Sequence, residues 1–230
     1  MTILLYQQFE AAEPEYRYCL KPLYISRDFY SHYPESVMII RKATLNDAEF
    51  IATYLLLAME DIVYKFIGSK DKAKATEFML HFVQQANNQY SYQNCWVAEI
   101  NSEVLAAVNL YDGARLQELR QPVIEHIRRE FSQDFKPEDE TQAGEYYIDS
   151  LGVNTSQRGR GVGSKVLQFL IDEYANKQRK TLGLLVDEEN PNARRLYLKM
   201  GFKTAGLKFL FGKSIEHLQI TYSINPTNSP

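Results

Sequence analysis

The chain has 230 residues, 45% hydrophobic and 24% charged, with a net charge of −3 at pH 7. That length suits one domain with an elaboration, and the mild negative charge speaks against a broad phosphate-binding surface for nucleic acid, leaving small molecules or peptides as partners. Cys19 and Cys95 are too few for a disulfide framework and lack zinc-site spacing, and no apolar run reaches the roughly 18 residues that span a bilayer, so the reading is a cytoplasmic, metal-free protein without membrane contact.

Residues 1–36, rich in Tyr and broken by Pro14, Pro22 and Pro34, have no sustained periodicity and read as a peripheral extension. Met1 to Leu5 lacks the basic start and long apolar stretch of a signal peptide. At Val37 the texture changes: Val37 to Ile40 reads as a buried strand, Met38 as a candidate native start, and Thr44 to Asp47 as a helix cap. Phe50, Ile51, Tyr54, Leu55 and Met59 recur at helical spacing, as do Phe78, Met79, Phe82 and Val83, which predicts two helices. Cys95 to Ile100 and Val104 to Val108, separated by Asn101-Ser102, predict an antiparallel hairpin.

A polar excursion follows at about 112–144, with a helical stripe of Leu116, Leu119, Val123 and Ile127; Pro122 predicts a break into two short helices. Its position suits folding over an acceptor site. Its acidic end, Glu138-Asp139-Glu140, reads as a solvated loop, with attraction of a cationic acceptor as the alternative. Tyr146 to Val153 then predicts a strand, Gly161 to Tyr174 a helix, Leu182 to Val186 a buried strand and Pro191 to Met200 a helix, terminated at Gly201. Leu207, Phe209 and Phe211 alternate before Gly212-Lys213, and Leu218, Ile220 and Tyr222 after it, predicting a closing hairpin ahead of a tail at 223–230.

The stretch from Leu151 to Lys165 leaves a strand, turns and enters a helix with Val162, Val166, Leu170 and Tyr174 on its apolar face. Gly159, Gly161 and Gly163 let the backbone curl so that several N–H groups converge, and the helix start adds unpaired donors; Arg158 and Arg160 add charge suited to a diphosphate. A branched side chain at Gly163 is expected to intrude on such a loop. The bland alternative is a glycine-rich surface turn with solvated arginines. A P-loop is excluded because Gly159 is followed five positions later by Ser164 where that pattern requires glycine, and a dinucleotide-binding loop fails on the spacing of its third glycine.

Arg158-Gly-Arg-Gly161-Val-Gly163 matches the Arg/Gln-x-x-Gly-x-Gly/Ala signature, and Asn190-Pro-Asn-Ala193-Arg-Arg-Leu196-Tyr197-Leu-Lys-Met-Gly201-Phe202 matches a second element, in the order and separation of the GNAT superfamily of N-acetyltransferases. The chain resembles that family over residues 37–222, with residues 1–36 and the excursion outside the shared pattern. The resemblance implies an α+β fold: a twisted, mixed, mostly antiparallel sheet of six or seven strands, splayed in the middle and flanked by helices. It also implies acetyl-CoA as co-substrate. The pantetheine arm would run along backbone groups of Leu151, Gly152 and Val153, and the pyrophosphate would rest on Arg158, Gly159, Arg160, Gly161, Val162, Gly163 and Ser164.

Acyl transfer needs a neutral amine at the thioester, a donor for developing charge on the carbonyl oxygen and a proton for the leaving thiolate. The resemblance gives Tyr197 the acid role; packing of the helix against the sheet is the structural alternative. Asn190 before Pro191 reads as a helix N-cap that is also compatible with CoA contact. The strand places Tyr147, Asp149, Leu151 and Val153 on one face; relatives often carry a carboxylate where Tyr147 stands, so Asp149 and Glu145 are the candidate bases, each also readable as a paired strand acid. A backbone N–H near Leu151 or Gly152 would meet the oxyanion, Gly152 marks a candidate bulge, and His217 reads as structural. The expected activity is transfer of acetyl to a primary amine on a small molecule, peptide or protein, with a non-catalytic CoA-binding module as the rival; a homodimer is allowed.

Overall fold

The computed structural model describes residues 37–132, 134–210 and 212–222. The expected extension at 1–36, the tail at 223–230, Cys19 and Phe211 lie outside the described residues. Seven strands form one sheet: β1 (Ile39–Lys42), β2 (Cys95–Ile100), β3 (Glu103–Asp112), β4 (Tyr146–Val153), β5 (Leu182–Val186), β6 (Lys203–Leu210) and β7 (Lys213–Ile220), in the order β1-β2-β3-β4-β5-β7-β6. Only β4 and β5 pair in parallel. The α+β architecture expected from the sequence is the one observed.

Helices α1 (Ala48–Ile67), α2 (Lys72–Val83) and α3 (Leu116–Glu130) belong to one side of the sheet, where Leu55, Val63, Phe78, Phe82, Val123 and Ile127 share a core with Val97 and Ala107. On the other side, α4 (Val162–Leu170), which widens into π-helical turns over Ile171–Lys177, and α5 (Pro191–Lys199) pack Val166, Leu170, Tyr197 and Phe202 against Val108, Ile148 and Leu184. Thr44 and Asp47 bond reciprocally, Asp47 accepting from the Thr44 N–H at 2.7 Å, and a single 3₁₀ turn precedes α1. Asn101 and Ser102 both take left-handed backbone, as a two-residue hairpin requires. Among the described residues, no helix is long and apolar enough to cross a membrane.

Several expectations are corrected. The first strand is displaced to Ile39–Lys42 and is not buried: it pairs only with β2, and Ile39 is 53% exposed. Phe50, placed on the inner stripe of α1, is exposed, as are Leu207 and Phe209 at 69% and 66%, because β6 is the opposite edge. Pro122 does not split the excursion, since α3 runs through it. The missing proline N–H leaves the Glu118 carbonyl without its helical donor, and the helix is tied to the loop before β2 by the Gln89 N–H, which donates to the Leu119 carbonyl at 2.7 Å. The acidic end is solvated only in part: Glu138 and Asp139 are exposed, whereas Glu140 is buried, paired with Arg120, and accepts from Gln89 Nε2 at 2.8 Å and the Tyr111 hydroxyl at 3.1 Å.

The irregularity in β4 falls at Asp149, not at Gly152. Asn109 faces Ser150 while Leu110 faces Ile148, so Asp149 is the extra residue of a bulge. The extra residue inverts the alternation. Ile148 and Leu151 therefore share the α4 side, whereas Tyr147 packs with Tyr111, Leu119 and Leu185; Tyr147 and Leu151 do not share a face.

Candidate active site

β4 and β5 are in register only at Tyr146↔Leu182 and Tyr147↔Gly183. Beyond that point they diverge, and the β5-facing edge of β4 from Ile148 to Val153 has no strand partner. A short β5 beside a longer, bulged β4 produces this cleft. Gly152 fixes its other wall: a Cβ there would lie 2.9 Å from the Tyr54 Cα and overlap the Tyr54 carbonyl, so α1 presses directly on the strand.

After β4, Asn154 caps a 3₁₀ turn and the chain passes through Gly159 and Gly161, with φ of +74° and +77°. Those left-handed positions demand glycine; Gly163 does not, because an added Cβ would meet Val153 and Leu151 side chains at 3.5 and 3.9 Å, ordinary contacts. Gly161 caps α4 without a side chain, so the N–H groups of the first turn have no side-chain acceptor. Arg158 and Arg160 stand exposed beside them.

A cavity of about 330 Å³ lies in the cleft. Leu151, Gly152, Val153, Arg158, Gly159, Gly161, Val162, Gly163, Ser164 and Asn190 line it; Arg160 and Tyr197 do not. Sequence reasoning missed Leu57 and Ala58 on α1, Gln157 in the turn, and Asn192, Ala193 and Leu196 on α5. The family motif offered a signal for Ala193 and Leu196; nothing local marks Leu57 and Ala58, which precede a break in helical geometry at Met59. Asn190 accepts from the Ala193 N–H at 3.1 Å, with Pro191 opening α5, so it caps the helix and lines the cavity at once.

Tyr197 is fully buried, shares a core with Leu151, Val162 and Ala193, and meets Phe202 edge-on at 5.9 Å. Its hydroxyl has no hydrogen-bond partner, and burial pushes its pKa up, so it holds its proton at neutral pH. Asp149 is 0% exposed, and neither carboxyl oxygen has a hydrogen-bond partner. Burial pushes it well above the usual carboxylate range. The Gln89 amide exerts a weak opposing pull, but its hydrogen bonds go to Tyr111 and Glu140.

Glu145 lies before β4 in a different setting. It accepts from His217 Nε2 and Gln219 Nε2, each at 2.8 Å, and from Thr141 Oγ1 at 2.7 Å. Burial favours its neutral form, but those three hydrogen bonds outweigh it and hold the carboxyl below its ordinary value. Glu145 lies against Gly183, where it leaves no room for a Cβ, and it ties the start of β4 to β7, with His217 as its buried partner. Among the described residues, no group of three or more His, Cys, Asp or Glu is arranged to hold a metal.

The fold compares with solved structures of an N-acetyltransferase from Staphylococcus aureus Mu50 (22% identity, TM-score 0.68, covering 79% of this chain and 100% of that one) and of an acetyltransferase (29% identity, TM-score 0.65, 80% and 100%). It also compares with the aminoglycoside acetyltransferase AAC(6')-Ib in complex with coenzyme A (18% identity, TM-score 0.52, 80% and 95%). The model of the acetyltransferase (GNAT) family matches residues 67–202, a span that includes the diverging strands, the glycine turn and the helix bearing Tyr197. With more than half its length inside that match and the divided sheet in place, the chain belongs to the acetyltransferase (GNAT) family and is an acyltransferase.

Proposed function

We propose that the protein transfers an acetyl group from acetyl-CoA to a primary amine by direct attack, with residues 37–222 as the catalytic domain. One observation carries this: the cleft between β4 and β5 ends on an uncapped glycine turn, and the strand and helix that wall it, β4 and α5, bear two fully buried side chains without hydrogen-bond partners, Asp149 and Tyr197. The residues fit a phosphate-bearing thioester. Left-handed Gly159 and Gly161 keep the turn free of side chains, the first-turn amides of α4 are donors, and Arg158 and Arg160 supply positive charge. The open edge of Leu151 to Val153 offers main-chain groups to an extended amide-containing arm.

Acetyl-CoA, when bound, supplies the activated acyl group. Asp149, once ionised, accepts a proton from the amine nitrogen; as the new C–N bond forms and the C–S bond breaks, the Tyr197 hydroxyl gives its proton to the departing sulfur, and solvent restores both. A main-chain N–H near Leu151 or Gly152 would meet the carbonyl oxygen as it gains charge. Glu145 is the alternative base, but its acceptor positions are already committed to Thr141, His217 and Gln219.

Free-thiol release from acetyl-CoA against a panel of amines, peptides and lysine-bearing proteins tests the proposal and separates small-molecule from protein acceptors. Tight acetyl-CoA binding with no thiol release for any acceptor would leave a CoA-binding module instead.

A further inference from the structure

We infer that Asn109, Asp149 and Ser150 together form the ammonium site for the acceptor; this deepens the acetyl-transfer reading and rests on it. Asn109 and Ser150 face each other across β3 and β4, with Asp149 inserted beside them by the bulge. All three are completely buried, yet Asn109 Oδ1, both Asp149 carboxyl oxygens and Ser150 Oγ have no hydrogen-bond partner. Buried oxygens without partners are costly; the Ser150 hydroxyl can also donate, but Asn109 Oδ1 and the two oxygens of ionised Asp149 only accept, which leaves acceptors in excess.

The chemistry of that excess identifies what would relieve it. Carboxylate and amide oxygens only accept, and the Asn109 amide nitrogen is committed to the Gln89 carbonyl at 2.9 Å, which fixes its oxygen as the end left over. An ammonium group offers three N–H donors and accepts nothing, the complement of this cluster. Its charge would favour ionised Asp149, which the empty cluster disfavours, and the ionised acid is the form that takes the amine's proton. The position suits the reaction, because Asp149 lies two residues beyond Tyr147, the last β4 residue paired to β5, where the cleft opens.

The test uses the full-length protein saturated with CoA and titrated calorimetrically with n-butylammonium chloride, tetramethylammonium chloride or potassium chloride at matched ionic strength. Wild type is expected to bind n-butylammonium and neither of the others, with affinity falling about tenfold in Ser150→Ala and further in Asp149→Asn. In turnover, Ser150→Ala is expected to raise KM for n-butylamine about tenfold while KM for acetyl-CoA stays within about twofold, a split that a merely structural role would not produce. Ser150 Oγ has no partner to lose, so this variant is expected to melt like wild type. The inference is overturned if Ser150→Ala binds n-butylammonium as wild type does, if potassium binds equally, or if no cation binds and the oxygens are satisfied by water alone. Wild type that binds n-butylammonium yet releases no thiol with any amine would instead refute the transfer reading and leave the ammonium site standing.

Discussion

Gly152→Ala tests whether α1 truly leans on the catalytic strand. The new Cβ would lie 2.9 Å from the Tyr54 Cα and overlap the Tyr54 carbonyl, all backbone atoms that no rotamer change can move aside. Overpacking a core usually costs about 1–3 kcal/mol, and a backbone collision belongs at or above the top of that range. Replacing glycine by alanine also restricts the unfolded chain, worth about 0.4–1 kcal/mol in the opposite direction. The collision therefore dominates, and a net loss of about 2–3 kcal/mol corresponds to a fall in Tm of about 4–12 °C for a domain of this size. Gly163→Ala is the matched control. Its Cβ would find only ordinary contacts, and in the first turn of α4 alanine is expected to add up to about 1 kcal/mol. Thermal and urea unfolding of both variants decide the matter: a Gly152→Ala protein as stable as wild type would mean that α1 stands away from β4, and the described shape of the cleft would be wrong.

Tyr197→Phe is expected to bind acetyl-CoA nearly as wild type does and to lose about 100-fold in kcat. It should not lose stability, because the hydroxyl it removes has no partner; unchanged turnover would take Tyr197 out of the acid role. Asp149 has a folded-state pKa above its unfolded value, so wild-type stability should fall as pH rises from about 4 toward the folded value, a slope absent from Asp149→Asn. The same ionisation should appear as a rising limb of kcat/KM with pH that Asp149→Asn lacks, and an identical limb in both proteins would exclude Asp149 as the base. Glu145 has the opposite sign: its folded-state pKa is depressed, so its contribution is present above about pH 4 and lost as pH falls through the folded value. Urea midpoints measured from pH 7 down to pH 3 should therefore show a shallower acid loss in Glu145→Gln than in wild type.

Strands β4 and β5 could be read to their end residues because each is short and bounded by turn-forming residues, β5 as a continuous apolar run and β4 with Tyr, Ile, Leu and Val flanking its two polar residues. The glycine turn was equally legible. Gly159 and Gly161 occupy conformations that other residues rarely adopt, so the requirement is written in residue type. The Asn190 cap with Pro191 behind it is likewise a local matter of hydrogen bonds within one turn.

Other features had no local signature. Leu207 and Phe209 alternate as a core strand would, yet β6 ended at the edge of the sheet, and edge position depends on strand order, which no run of residues encodes by itself. Pro122 looks like a break, yet α3 runs through it, with Leu119, Val123 and Ile127 buried in the tertiary core. Glu140 looks solvated until Arg120 meets it.

The amino-acid sequence by itself determined the family, the glycine turn and the helix that carries Tyr197, because each follows from residue types acting over a few neighbouring positions. Tertiary structure decided what the two carboxylates are. Asp149 became a buried, unpartnered acid because a bulge against β3 turned it inward, and Glu145 became a fastened structural anion because His217 and Gln219 arrive from β7. A carboxyl's proton affinity is set by the solvent it loses and the partners it gains, and both come from distant parts of the chain.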